Sequence, residues 1–268
     1  MNKVGNKLIN NPFEIHGVKY ISPSQINKFI QSPAKWLVQV AGYKDNLYKP
    51  AFTYGNAIEI GITKAVVENI SVKECIDLAN GEFDRILQKS KESKSEYDVD
   101  GATKKQKNVQ RTLETVIPLY KELGTPIATQ KRVEYQFDST PIPLMGFLDL
   151  EYEDTVRDLK TTSFRPKTNS NYNRQLATYA LCTNKLPMID YIYTTTKVSE
   201  LISFDVENVN MHIKSLERII IKMMRMLSVS NDIREVCQLS NLEPNLSNDN
   251  WWDSWGANEI IGAKKLFY

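Results

Sequence analysis

Apolar positions in the first third of the chain recur every three or four residues. Ile26, Phe29, Ile30, Pro33, Trp36, Leu37 and Val40 keep this spacing after Ile21-Ser22-Pro23-Ser24, where a serine N-cap precedes the pattern. A helical region over about 23–41 with a break near Pro33 is predicted. A second helix begins near Tyr54-Gly55 and carries Ile58, Ile62, Ala65, Val66 and Ile70 on one face. A third, over about 71–90, carries Cys75, Ile76, Ala79, Phe83, Ile86 and Leu87. Residues 89–108, KSKESKSEYDVDGATKKQKN, are polar and charged without apolar periodicity, which predicts a surface loop. A short helix over about 108–122 follows.

The period then changes to two. Val133, Tyr135 and Phe137 alternate with polar residues, a proline-containing turn covers 138–143, and Leu144 to Tyr152 continues extended, as in a β-hairpin. A third strand, Thr155 to Lys160, follows a two-residue acidic turn at Glu153-Asp154. A helix over about 170–184 leads to an apolar strand, Met188 to Thr196, which suits a parallel crossover. Residues 205–228 predict a long helix with Val206, Val209, Ile213, Leu216, Ile220, Met223, Met224 and Leu227 in one wide stripe. Together these predict a mixed α/β fold, a central β-sheet flanked by helices, with no internal repeat. The expected organisation is one domain over 1–268: a helical elaboration over 1–125, an α/β core over 126–230 and a C-terminal segment over 231–268.

Composition narrows the chemistry. At 268 residues, 41% hydrophobic and 25% charged, the chain can bury a sizeable core, which excludes disorder as the dominant state. A formal charge of +2 means that a nucleic-acid partner has to be met by a local basic channel and not by a cationic surface as a whole. Cys75, Cys182 and Cys237 lie too far apart for a disulfide framework or a contiguous zinc motif, and point to a reducing compartment. There is no apolar run of about 18 residues, and the N-terminal MNKVGNKLINNPFEIHG lacks a secretory apolar stretch, so the chain reads as cytoplasmic and without a membrane segment. With only His16 and His212, histidine-based metal sites and Ser/His/Asp triads have little to draw on. Carboxylates, lysine and tyrosine remain.

The informative segment runs from Gly146 to Thr162. Asp149 falls on the second hairpin strand and Asp158 near the end of the third, so the turn at Glu153-Asp154 brings the two carboxylates to neighbouring ladder positions. Two such anions repel unless a cation holds them, and a hard divalent ion such as Mg²⁺ suits oxygen ligands of this kind. Lys160, two residues past Asp158, points to the same strand face. An isolated Asp-x-Lys is ordinarily a cross-strand salt bridge. Its companions alter the balance: Gly55 to Glu59 opens a helix upstream, and Gln175 and Tyr179 share a helix face downstream.

On these residues the chain resembles the PD-(D/E)xK nuclease superfamily in its RecB-like branch, and lambda exonuclease more distantly. That family orders an S-x-S-x-[LI] helix, a G-x-x-x-[HE] helix, a G-x-x-D strand, a D-x-K strand and a Q-x-x-x-Y helix. Here they are Ser22 to Ile26, Gly55 to Glu59, Gly146 to Asp149, Asp158 to Lys160, and Gln175 to Tyr179. The resemblance implies a restriction-endonuclease-like core with Mg²⁺ held by Asp149 and Asp158, the Leu159 carbonyl as a third oxygen, and Glu59 on this or a second ion; Mn²⁺ can substitute. It further implies that Lys160 orients the attacking water and that Gln175 and Tyr179 contact the scissile phosphate and brace Lys160. For Tyr179, core packing with a satisfied hydroxyl competes with that role. Ser22, Ser24, Thr161, Ser163, Arg165 and Lys167 are the expected DNA contacts. Two departures stand out. Glu59 replaces the frequent His, as in the lambda-exonuclease group, and Ser32-Pro33 stands where iron–sulfur members carry Cys, so no iron–sulfur cluster is expected.

The implied activity is hydrolysis of DNA phosphodiester bonds, foremost by an exonuclease of recombination, repair or end processing, such as a phage encodes. A single-strand annealing or recombination protein would be its protein partner. The alternatives are a structure-specific or CRISPR-adaptation-type endonuclease and a non-catalytic nucleic-acid-binding module of the same fold. Trp251, Trp252 and Trp255 suit base stacking or packing of the C-terminal segment, and Lys104, Lys105, Lys107 and Arg111 suit a DNA path or plain solvation.

Overall fold

The computed structural model describes residues 11–45, 48–93, 97–167, 170–246 and 255–268, the side chains of 170 and 171 excepted. The helices among them are α1 (Pro12–Ile15), α2 (Pro23–Gln31), α3 (Pro33–Val40), α4 (Pro50–Val67), α5 (Val72–Glu92), α6 (Val99–Gln106), α7 (Val109–Glu122), α8 (Ser170–Thr183), α9 (Val209–Leu227), α10 (Ile233–Leu239) and α11 (Ala257–Phe267). The strands are β1 (Ala128–Tyr135), β2 (Leu144–Glu151), β3 (Thr155–Thr162), β4 (Leu186–Thr194) and β5 (Ser199–Asp205). They form one mixed sheet in the order β1-β2-β3-β4-β5. The β2/β3 and β4/β5 pairs are antiparallel and β3/β4 is parallel. Parallel pairing needs a crossover, which α8 supplies. This is the predicted mixed α/β sheet with flanking helices.

The Glu153-Asp154 turn closes β2 on β3, with the Tyr152 amide donating to the Thr155 carbonyl at 2.8 Å. Along β4, Ile189, Asp190, Tyr191 and Ile192 are buried in succession, as in a strand covered on both faces. Pro33 splits the first helical region, because its ring sits at the start of α3 while Ser32 caps it.

The chain forms two compact units, one of Met1–Asp45, Val133–Gly146 and Asn208–Tyr268, the other of Asn46–Arg132 and Phe147–Glu207. In the first, Ile21 bridges to Leu144, its amide 3.0 Å from the Pro143 carbonyl and its carbonyl 2.8 Å from the Met145 amide. The Phe29 and Trp36 rings meet edge to face at 5.2 Å, and Leu216, Ile220, Met223 and Leu227 of α9 are buried.

In the second unit, α4, α5 and α7 bury Ile58, Ile62, Cys75, Phe83, Leu113, Ile117 and Tyr120 with Leu150, Leu159 and Ile192 of the sheet. Gly61 permits the close approach of α4 to α7, since a Cβ there would meet Leu113 Cδ1 at 2.7 Å. Asp190, fully buried on β4, accepts from Tyr120 Oη (3.0 Å), Arg157 Nη1 (2.8 and 3.0 Å) and Ser203 Oγ (2.6 Å). A second buried cluster joins Tyr54 Oη to Thr112 Oγ1 (2.8 Å) and Thr112 to Thr194 and Ser199 (3.2 and 3.1 Å).

Several sequence expectations need correction. The region read as a loop over 89–108 is largely helical: α5 runs to Glu92, and α6 starts where Asp98 Oδ1 accepts from the Gly101 amide at 2.8 Å. Ala102 is the one buried residue of α6, too little apolar content to register as periodicity. Residues 94–96 lie outside the described residues. The long helix begins at Val209 and not near 205, because Ser199–Asp205 pairs with β4 as the fifth strand. The first hairpin strand starts earlier than read, at Ala128. No helix among the described residues is long and apolar enough to cross a membrane.

Candidate active site

Asp149 of β2, Asp158, Leu159 and Lys160 of β3, Glu59 of α4, and Gln175 and Tyr179 of α8 are gathered in the second unit. The β2/β3 register sets Leu150 opposite Arg157 and Glu151 opposite Val156. One step further, the Leu159 amide donates to Asp149 Oδ2 at 2.7 Å, so a side chain takes the place of a ladder bond where the carboxylates meet.

Asp158 is fully buried. Its Oδ1 accepts from Gln175 Nε2 at 2.9 Å, and its Oδ2 lies against the Lys160 ammonium in an ion pair without hydrogen-bond alignment. The Lys160 side chain is 24% exposed, reaches the Leu159 carbonyl at 3.4 Å, and lies 5.5 Å from the centre of the Tyr172 ring. Gln130, on β1, donates its side-chain amide to Glu59 and, at 3.2 Å, to Asp149. Tyr179, 1% exposed, accepts from Gln175 at 2.7 Å and donates to the Phe147 carbonyl.

Burial dominates the electrostatics. It pushes Asp158 up to about 7 and Asp149 up to about 6 against the pull of Lys160, and it raises Glu59 as well. Burial works to lower the Lys160 ammonium, but Asp158 and Asp149 outweigh it and hold it above the usual lysine range. Three carboxyls thus share the Lys160 ammonium.

The donor set fits a hard divalent cation: carboxylate and carbonyl oxygens, one of them the buried, unaligned Oδ2 of Asp158. As they stand, no three Asp, Glu, His or Cys side chains among the described residues are spaced to hold an ion. Gln130 and the Leu159 amide donate to Glu59 and Asp149, and Lys160 pairs with Asp158.

The other predicted residues are more dispersed. Thr161 lies beside Gly55 of α4. Ser163 accepts from Lys105 Nζ at 2.9 Å, which brings one lysine of α6 to the end of the Asp-x-Lys strand. Arg165 is 72% exposed and pairs with Glu200 at 3.3 Å; Lys167 is exposed, and its carbonyl accepts from Tyr191 Oη at 3.2 Å. Ser22 and Ser24 belong to the first unit, where Ser22 caps α2 by accepting from the Gln25 amide at 3.3 Å and lies 2.9 Å from Ser24 Oγ. Arg111 clamps the β4–β5 connection through the carbonyls of Thr195 and, at 2.8 Å, Thr196. Trp255 lies 5.7 Å from Lys35 Nζ, whereas Trp251 and Trp252 lie outside the described residues.

Sequence reasoning missed Gln130 and Tyr172. Tyr172 was within reach, because it precedes Gln175 by three residues on one helix face. No pattern in the sequence marks Gln130.

Adjacent strands of the sheet thus present the half-buried Asp149, the buried Asp158 and Lys160, and Gln175 of the following helix holds Asp158. The sequence model of the PD-(D/E)XK nuclease superfamily matches residues 20–224, and the chain belongs to that superfamily. Members generally use divalent metals such as Mg²⁺. The fold is similar to the crystal structure of a protein from Eubacterium rectale provisionally described as an exonuclease. The TM-score is 0.53 at 14% identity, over 91% of this chain and 89% of that one. No protein of curated function matches the sequence.

Proposed function

We propose that the chain is a Mg²⁺-dependent deoxyribonuclease of the RecB-like branch that degrades DNA from an end, in recombination, repair or end processing. The observation that carries this reading is the half-buried Asp149 and the fully buried Asp158 sharing the ammonium of Lys160. The five ordered motifs support the branch, and the provisional exonuclease of similar fold supports the mode of attack.

Asp149, Asp158, the Leu159 carbonyl and Glu59 would hold the ion, which when bound supplies a Lewis acid to the phosphate and neutralises its developing charge. Lys160 donates to the attacking water and so aims it at phosphorus, while its charge offsets that of the pentavalent phosphate. Gln175 fixes the Asp158 carboxylate, and Tyr179 ties Gln175 to β2 through the Phe147 carbonyl. Thr161, Ser163, Arg165 and Lys167 meet the DNA backbone, with Lys105 beside Ser163; burial pulls the Lys105 ammonium below the usual lysine range. Ser22 and Ser24 are further backbone contacts.

End-labelled linear DNA and covalently closed circles incubated with Mg²⁺, Mn²⁺ or EDTA test the reading. Linear DNA should be degraded with either metal, and circles and EDTA samples should remain intact. Cutting of circles at the rate of linear DNA would make the protein an endonuclease.

A further inference from the structure

We infer that Gln130 is a displaceable clamp on the metal site: its side-chain amide holds Glu59 and Asp149 together and is the group a cation must displace to take both carboxylates. This rests on the reading of Asp149 and Asp158 as metal ligands.

The Gln130 Nε2 donates to Glu59 Oε1 on α4 and, at 3.2 Å, to Asp149 Oδ1 on β2. Each of its two hydrogens can serve one carboxylate, which offsets the repulsion of two acids brought in from different elements. An N–H donor cannot ligate a cation. An ion that engages those two oxygens therefore breaks both hydrogen bonds, and the free energy of breaking them lowers the apparent affinity.

The backbone supplies a second, independent sign. Gln130 has φ 47°, a left-handed conformation inside a strand. For a residue other than glycine this conformation is strained and persists where the surroundings impose it, commonly at functional sites. Gln130 is also exposed, so its amide can swing into water without burying a polar group. Release is therefore as feasible as capture.

The test is calorimetric titration of the DNA-free protein with Mn²⁺. Gln130→Gly suits the left-handed backbone and removes the clamp; Gln130→Ala removes the clamp while keeping the Cβ. Both variants should bind Mn²⁺ roughly three- to tenfold more tightly than wild type, less than two full charge-assisted hydrogen bonds would give because the amide is exposed. Structural damage would weaken binding, so tighter binding is specific to a displaced competitor. Unchanged or weaker binding in whichever variant folds, judged by its far-UV circular dichroism, overturns the inference. The double variant Asp149→Asn/Asp158→Asn separates the two failures. If it binds Mn²⁺ like wild type, the metal-site reading falls and the clamp with it. If it has lost Mn²⁺ and Gln130→Gly binds no more tightly than wild type, the clamp alone falls.

Discussion

Replacing Lys160 with alanine is expected to lower DNA cleavage by roughly two or more orders of magnitude while leaving Mn²⁺ and DNA binding within a few-fold of wild type. The ammonium lies against Asp158 and 3.4 Å from the Leu159 carbonyl, beside the oxygens assigned to the metal but with no lone pair to offer it. In the proposed role its contribution is made to the attacking water and the charge that develops at phosphorus, so its loss should fall on the chemical step. Binding does not depend on it in the same way, because a divalent ion supplies the counter-charge for Asp158 once Lys160 is gone. Single-turnover cleavage at saturating Mg²⁺, with Mn²⁺ and DNA affinities measured separately, checks the separation. A rate near wild type would return Asp158 and Lys160 to an ordinary buried ion pair.

Asp190→Ala should destabilise the protein by about 3–5 kcal/mol, because it strips the partner from a buried charge. The carboxylate is fully buried and accepts from Tyr120, Arg157 and Ser203, and the Arg157 side chain is only 13% exposed. Truncation leaves a guanidinium, a phenol and a hydroxyl without their acceptor beside β4. Asp190→Asn, which keeps an acceptor oxygen, should cost less. Urea unfolding of the two variants measures the difference; a loss below about 1 kcal/mol for Asp190→Ala would mean that Arg157 finds another partner or water.

The sequence reveals the sheet and the acids for a common reason. β2 and β3 are short strands joined by a two-residue turn, so the turn fixes which carboxylates meet across the ladder. α4, α5 and α9 are wide apolar stripes that any core would recruit. What escaped has no local signature. α6 contributes one buried alanine and is set by the Asp98 cap and by tertiary contact, and β5 is held as an edge by its pairing with β4. Asp190 reads as one more polar residue in a strand until Tyr120, Arg157 and Ser203, distant in sequence, converge on it. Gln130 enters the site through a left-handed backbone that no periodicity predicts. Motif order singled out Asp149, Asp158 and Lys160, whereas the residues that hold the acids in place are a property of the fold.

The central claim is that Asp158 anchors a metal-dependent nuclease centre. The most direct test is cleavage of end-labelled linear DNA by wild type and Asp158→Ala, each with Mg²⁺ and with EDTA. Degradation by wild type in Mg²⁺ alone, with Asp158→Ala folded but slower by roughly three orders of magnitude or more, is the expected result. Wild type cutting as fast in EDTA, or Asp158→Ala cutting at the wild-type rate in Mg²⁺, would contradict it.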